Sequence, residues 1–315
     1  MPKTYVMSIS IITPHHNDFK GIKQTHDSLI KQDSEQWEWI IVDDFSDDPI
    51  KESLIEYLKN YPCKNIKLVF NDIKTNASVC RNIGVDHASY NHLVFLDSDD
   101  MIAEDFISNR AIEVQDFAVF KNFNLIDEKG NNKPAPTKDS NYLNHFLQAK
   151  FIWQTSAILW NKGFLIKIGK FNTHLKRLQD IELSIRALFL SNNYRVIDNK
   201  VDFFYSVSPI NIKKTPINII CESVNYLISH LNNHYALDKE QRGLLTGYYF
   251  LCVRYFSRSE DKRDLNHVQN SLKVFYKKNY MSYFGYMRAL LFINLYKINL
   301  ISNDLFLKLN RYFYK

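Results

Sequence analysis

Glycine and proline are scarce, with eight of each in 315 residues. That scarcity excludes collagen-like and low-complexity chains. It also leaves no phosphate loop, since neither G-x-G-x-x-G nor G-K-[ST] occurs. No apolar run reaches the about 18 residues a membrane-spanning helix needs. The nearest, Leu290 to Ile301, is broken by Asn294, Lys297 and Asn299. The four cysteines, Cys63, Cys80, Cys221 and Cys252, show neither C-x-x-C nor zinc spacing. They read as buried thiols in a reducing compartment. Met1 to Thr13 has no small-residue cleavage site and reads as a first strand, not a secretion signal.

What is present is a large apolar fraction, 45%, with 23% charged residues. That mix builds a substantial core, in one large domain or two, and excludes a disordered chain. Charge is uneven along the chain. Residues 1–210 carry 24 Lys and Arg against 27 Asp and Glu, whereas residues 211–315 carry 16 against 7. The second segment also holds 19 of the 45 aromatic residues, all Tyr or Phe. It reads either as a helical domain with solvated lysines or as a basic, aromatic module for an anionic surface or acceptor. The division expected is 1–210 and 211–315.

The first hundred residues alternate strand and helix signals. Short apolar runs at 8–13, 39–42, 66–70 and 93–96 are separated by segments of helical periodicity, and Asn76 is a candidate N-cap. Continuous apolar strands joined by helices predict a mostly parallel α/β sheet, which binds ligands at the carboxyl ends of its strands. Later come irregular strand signals, a helix over 180–190, and four or five helices beyond residue 210.

Acidic residues fall at those carboxyl ends. Asp43-Asp44 follows the second strand, and Asp97-Ser98-Asp99-Asp100 follows the fourth. Clustered carboxylates repel one another unless a cation answers them, and hard oxygen ligands suit Mg²⁺ or Mn²⁺. Acidic caps on a helix N-terminus explain them equally well. Arg81 lies between the two ends in sequence and suits a diphosphate or these carboxylates. Trp153 and Trp160 suit core packing or stacking on a sugar. Glu182 and Arg186 have the spacing of a helical ion pair.

Five ordered pieces resemble family 2 glycosyltransferases, which have the GT-A fold. They are Ser10-Ile-Ile-Thr-Pro-His-His-Asn17, Gln32, Trp39-Ile-Ile-Val-Asp-Asp-Phe-Ser-Asp47, Asn76-Ala-Ser-Val-Cys-Arg-Asn-Ile-Gly84 and Leu93 to Asp100. The likeness is tight over 8–100, looser to about 205, and does not cover the C-terminal hundred residues. It implies that Thr13, Pro14 and His15 line a nucleotide base that Asp43 hydrogen-bonds. Arg81 would hold base or diphosphate, Asp97 would meet the ribose, Ser98 would join the nucleotide site, and Asp99 would bind a divalent cation, Mn²⁺ or Mg²⁺. The family's catalytic base falls on Asp180, within Leu178-Gln-Asp-Ile-Glu-Leu-Ser-Ile-Arg186. The chain departs from the pattern in having Gln179 for Glu, Phe45 for Gly, and His16 for an aromatic residue; no glycine occurs over Asp72 to Thr75.

The resemblance implies an inverting, metal-dependent transfer of a sugar from a nucleoside diphosphate, UDP favoured, to a saccharide or lipid-linked acceptor in bacterial surface polysaccharide synthesis. The setting expected is the cytoplasm or the inner face of the membrane, with 211–315, by its charge and its Tyr and Phe content, as a membrane or self-association surface, and with no nucleic-acid partner. A HAD-like phosphoryl-transfer enzyme also ends a strand in D-x-D, but after its first strand. A receiver domain would lack the 76–84 segment. A non-catalytic carbohydrate-binding protein would need neither Asp180 nor the acidic cluster.

Overall fold

The computed structural model describes residues 7–60, 65–127, 129–135, 141–206, 215–259 and 261–314. Cys63 and the expected boundary at 210 lie outside these residues. The chain divides into two compact units. The first comprises 1–137, 153–173 and 189–213; the second comprises 138–152, 174–188 and 214–315. The division therefore differs from a single cut at 210, because two earlier segments belong with the C-terminal helices.

The first unit opens with four strands alternating with helices: β1 (Ile9–His15), α1 (Phe19–Leu29), β2 (Trp37–Asp43), α2 (Asp48–Asn60), β3 (Ile66–Phe70), α3 (Ala77–His87) and β4 (His92–Phe95). There follow β5 (Met101–Ile102), α4 (Phe106–Arg110), β6 (Phe117–Phe120), β7 (Asn124–Ile126) and β8 (Asn132–Pro134). In the second unit, α5 is Tyr142–Leu147. The first unit resumes with β9 (Ile158–Asn161) and α6 (Lys162–Lys167). Helix α7 is Gln179–Leu190, and β10 (Arg195–Ile197) and β11 (Phe203–Ser206) complete the strands.

The main sheet has the order β10-β6-β9-β4-β1-β2-β3. β3, β2, β1 and β4 run parallel, while β9 is antiparallel to both its neighbours. β1 and β2 are nearly all buried, because helices cover an open parallel sheet on both faces. A smaller sheet has the order β5-β11-β7-β8. Trp153 and Trp160 are both buried, which settles them as core residues.

The connections make one geometric point. From β1 the chain winds outward through β2 to β3, then crosses to place β4 on the other side of β1. The strand order reverses between β1 and β4, and at such a switch point the carboxyl ends open into a crevice. Helix α3 makes the crossing. It starts at Asn76, whose side chain accepts from the Ser78 and Val79 amides. It then presses Gly84 onto β1, where a Cβ would stand 2.3 Å from Ile12 Cγ2.

The second unit is helical: α8 (Ile217–His234), α9 (Lys239–Leu244), α10 (Thr246–Phe256), α11 (Leu265–Lys277), α12 (Tyr283–Lys297) and α13 (Asn303–Tyr314) follow α5 and α7. α10 packs against α8, α11 and α13, and α12 against α11 and α13. α9 and α10 meet at Leu245. Gly247 opens the second against the α5 segment, where a Cβ would meet Gln148 O at 2.2 Å. No described helix is long and apolar enough to cross a membrane.

Candidate active site

Two acidic strand ends of the first unit flank β1. At the β2 end, Asp43 is buried and saturated. His15 Nδ1 lies 2.7 Å from Asp43 Oδ1, and the Ser46 amide and hydroxyl donate to its two oxygens. The Asp18 amide donates to His15 Nε2 at 3.1 Å, so the proton of that imidazole sits on Nδ1 and is given to Asp43. Burial pushes the Asp43 carboxyl up, but the bonds from His15 and Ser46 outweigh it and hold it below its ordinary value. Asp44 is buried too. It accepts from Lys74 Nζ at 2.6 Å, from the Thr75 hydroxyl and amide at 2.6 and 2.8 Å, and from Asn71 at 3.2 Å. Burial again raises it, and these donors overcome that to leave it at about 2. Thr13 is buried, its hydroxyl accepting from Trp39 Nε1 at 2.8 Å, and Pro14 is half-buried beside it.

Phe45 stands between these acids and Ser46 with φ of +60°, the left-handed region that glycine enters freely. The turn therefore keeps the conformation of the glycine pattern, with a half-exposed phenyl ring lying under Lys51 Nζ.

The β4 end is built differently. Arg81 Nη2 donates to Asp97 Oδ1 at 2.6 Å. Arg81 is buried, whereas the Asp97 side chain is 36% exposed. The guanidinium stacks 5.2 Å from the Phe171 ring, and its Nε has no hydrogen-bond partner. Asn82 clamps the Phe171 backbone through both its amide atoms at 2.9 Å, and Asn76 donates to Thr173 O. One side of α3 thus fixes the segment on which Arg81 rests. Ser98 donates to Asp18 Oδ2 at 2.6 Å. Asp18 also caps α1 through the Gly21 amide, and at Gly21 a Cβ would come within 2.6 Å of Ser98 O.

Asp99 is exposed. Asp100 turns inward and accepts from the Ser206 amide and the Ser156 hydroxyl at 3.1 and 3.3 Å. Burial, and then the charge of Asp97, push its carboxyl well above the ordinary range. Among the described residues no three His, Cys, Asp or Glu side chains form a metal cage. The residues still fit a Mg²⁺- or Mn²⁺-type site, because such ions take one or two protein carboxylates and fill their remaining positions with water and phosphate oxygens. Asp99, with Asp97 beside it, is the donor set of that kind.

In the second unit, Asp180 lies half-buried in the first turn of α7. Leu178, two residues earlier, has φ of +65° and accepts from the Glu182 amide at 3.0 Å. Gln179, in place of the family's glutamate, donates to Leu175 O at 2.8 Å. Glu182 and Arg186 form a buried two-bond fork at 2.9 and 2.6 Å, so they are structural, as their spacing predicts.

Sequence reasoning named Thr13, Pro14, His15, Asp43, Arg81, Asp97, Ser98 and Asp99, and the structure gathers all of them around the ends of β1, β2 and β4. It missed Asp18, which ties Ser98 to α1, and Lys74 with Thr75, which close over Asp44. Spacing carries no sign of Asp18. A polar Asn71-to-Thr75 stretch after β3, opposite an acidic pair, was the available signal for the other two.

Carboxylates and one buried arginine thus meet at the carboxyl ends of an open α/β sheet, beside the switch point between β1 and β4. The chain belongs to glycosyl transferase family 2, whose model matches residues 10–175. It is therefore a glycosyltransferase. The amylovoran biosynthesis glycosyltransferase AmsB of Erwinia amylovora is 27% identical over 216 residues, 64% of this chain and 71% of AmsB. Among solved structures, Staphylococcus aureus TarS 1–349 in complex with UDP-GlcNAc superposes with a TM-score of 0.65 at 19% identity, covering 84% of this chain and 80% of that one. The mannosyltransferase PcManGT from Pyrobaculum calidifontis, in complex with GDP-Man and Mn²⁺, gives 0.59 at 14% identity, covering 98% and 86%. The fold is thus GT-A-like.

Proposed function

We propose that the protein transfers a sugar from a UDP-sugar to a hydroxyl of a saccharide or lipid-linked saccharide during bacterial surface polysaccharide synthesis, with inversion at the anomeric carbon. The observation that carries this reading is the Arg81–Asp97 ion pair beside exposed Asp99 at the switch point. A nucleoside diphosphate needs positive charge at its phosphates and acceptors at its ribose; Arg81 of α3 supports the first and Asp97, in the loop after β4, the second. Thr13, Pro14, His15 and Asp43 close the base side. UDP is favoured because the TarS complex carries UDP-GlcNAc; GDP is the competing donor base, because PcManGT carries GDP-Man.

Asp97 accepts from the ribose, and Ser98, held by Asp18, fixes the loop. Asp99, with Asp97, would hold Mn²⁺ or Mg²⁺, and such a cation neutralises charge on a departing diphosphate. Arg81 adds a fixed positive charge that needs no reorganisation. Asp180 takes the proton of the acceptor hydroxyl as it attacks, a contribution of about 10²–10⁴ in rate. A single carboxylate base opposite the leaving group gives one displacement and inversion. The division into 1–210 and 211–315 is retained as a functional one: donor chemistry in the first, acceptor or surface contact in the second. The setting is the cytoplasm or the inner face of the membrane.

A screen of UDP-, GDP- and dTDP-sugars for slow hydrolysis, with and without Mn²⁺, tests the donor. UDP-sugar turnover that needs the metal supports the reading, and activity with none of them overturns it. Asp180→Asn is expected to keep UDP binding and lose transfer, whereas surviving transfer moves the base elsewhere.

A further inference from the structure

The last two helices carry an unusual surface. The buried side of α12 holds Gly285, Ala289, Phe292 and Ile293. Its water-facing side, where a surface helix is normally polar, holds Phe284, Met287 and Leu291, and Ile298 continues the line just past the helix end. These are spaced i, i+3, i+7 and i+14, one stripe of a helix. Phe284 is 77% exposed. α13 repeats the pattern: Leu305, Lys308 and Tyr312 share its outer side, and Tyr312 is 81% exposed. The two helices are tied together, since Arg288 stacks 4.0 Å from the Phe313 ring and Phe313 lies 5.9 Å from Phe292.

Charge surrounds this apolar face with one sign. Residues 276–315 hold seven Lys and Arg and a single acid, Asp304, so seven minus one gives +6, equal to the formal net charge of the whole chain. Exposed apolar and aromatic side chains ringed by cations are the make-up of an interfacial surface on an anionic bilayer, where rings sit at headgroup depth and cations meet lipid phosphates. A second copy would bring +6 against +6 from this segment, with Asp304 as its single acid. The charge therefore selects the lipid over the homodimer.

We propose that α12 and α13 dock the protein on anionic phospholipid, with Phe284, Met287, Leu291 and Tyr312 inserted and Lys297, Lys308 and Arg311 on the headgroups. This rests on the membrane location offered above, and not on the transfer chemistry. The test is co-sedimentation with phosphatidylcholine vesicles, with and without about one-third phosphatidylglycerol, at low and high salt. Binding should be at least about tenfold stronger to the anionic vesicles and should fall several-fold at high salt.

F284S/L291S and K308Q/R311Q alter opposite aspects of the face at exposed positions. Each should lose about tenfold in vesicle affinity with circular dichroism and UDP affinity unchanged. No pelleting with anionic vesicles at low salt, or pelleting by both variants equal to that of the wild type, overturns the proposal. So does a dimer in sedimentation equilibrium that F284S/L291S converts to monomer. UDP titration of the same samples keeps the two readings apart, because a protein that binds vesicles but no nucleotide fails only as a transferase.

Discussion

The ends of β2 and β4 hold the same kind of residue one strand apart from β1, and the fold treats them oppositely. Asp43 and Asp44 are buried, and each is met by several donors. Asp99 is exposed and Asp97 partly so, Asp97 leaning on one buried arginine whose Nε–H has no partner. A carboxylate given three or four protein donors is held rigidly by the fold. Those at the β4 end lie nearer the solvent, beside the fixed positive charge of Arg81. The two strand ends thus differ in how their carboxylates are held, one pair buried among donors and the other turned toward solvent.

The comparison breaks most sharply by mutation. Asp99→Ala should cut transfer about 10³-fold, roughly 4 kcal/mol of transition-state stabilisation, because a carboxylate for the cation is lost. Its thermal midpoint should move little, since an exposed surface substitution usually stays within about 0.5 kcal/mol. Urea unfolding and kcat/KM on the same sample check both halves.

Asp44→Ala should do the reverse. It strands Lys74 and the Thr75 hydroxyl and amide, and should cost about 2–3 kcal/mol of stability. A loss of transfer without a loss of stability would make Asp44 a ligand residue after all.

The pH dependence follows from the same donors. Asp44 titrates at about 2 in the fold against 3.8 ordinarily. A lowered carboxyl value means the folded state prefers the ionised form. The stability it contributes is complete above about pH 4 and is lost as the pH falls toward 2. Asp44→Asn should flatten the stability curve across that interval, which acid-induced unfolding followed by circular dichroism would reveal.

The smallest effect belongs to Phe45. Phe45→Gly should raise stability by up to about 1 kcal/mol, because the left-handed backbone is relieved of a Cβ, partly offset by unfolded-state entropy and the lost ring contact with Lys51. A lower thermal midpoint would mean that the Lys51–Phe45 contact outweighs the strain.

Much of this was readable beforehand because it is local. Apolar runs followed by acids placed Asp43 and Asp97 at strand ends, Asn76 was legible as an N-cap, and the spacing of Glu182 and Arg186 foretold their fork. Gln32, singled out only by position, proves to clamp α1 to α4, donating to Ala103 O and accepting from the Ile107 amide. What was not readable depends on distant partners. Nothing near Asp43 in sequence announces that His15, 28 residues earlier, would close it. Antiparallel β9 enters between β4 and β6, and β11 reaches back a hundred residues to β5. The segments 138–152 and 174–188 join the C-terminal helices through contacts such as Tyr248 to Phe146 O and the Arg177 amide to Ser223, which no local period encodes.

Calorimetric titration with UDP, with and without Mn²⁺, on the wild type, Asp99→Asn and Asp44→Asn measures the central difference between the two strand ends directly. This division of roles predicts metal-dependent binding to the wild type, its loss in Asp99→Asn, and its retention in folded Asp44→Asn. Nucleotide binding that ignores the metal and survives Asp99→Asn would contradict it.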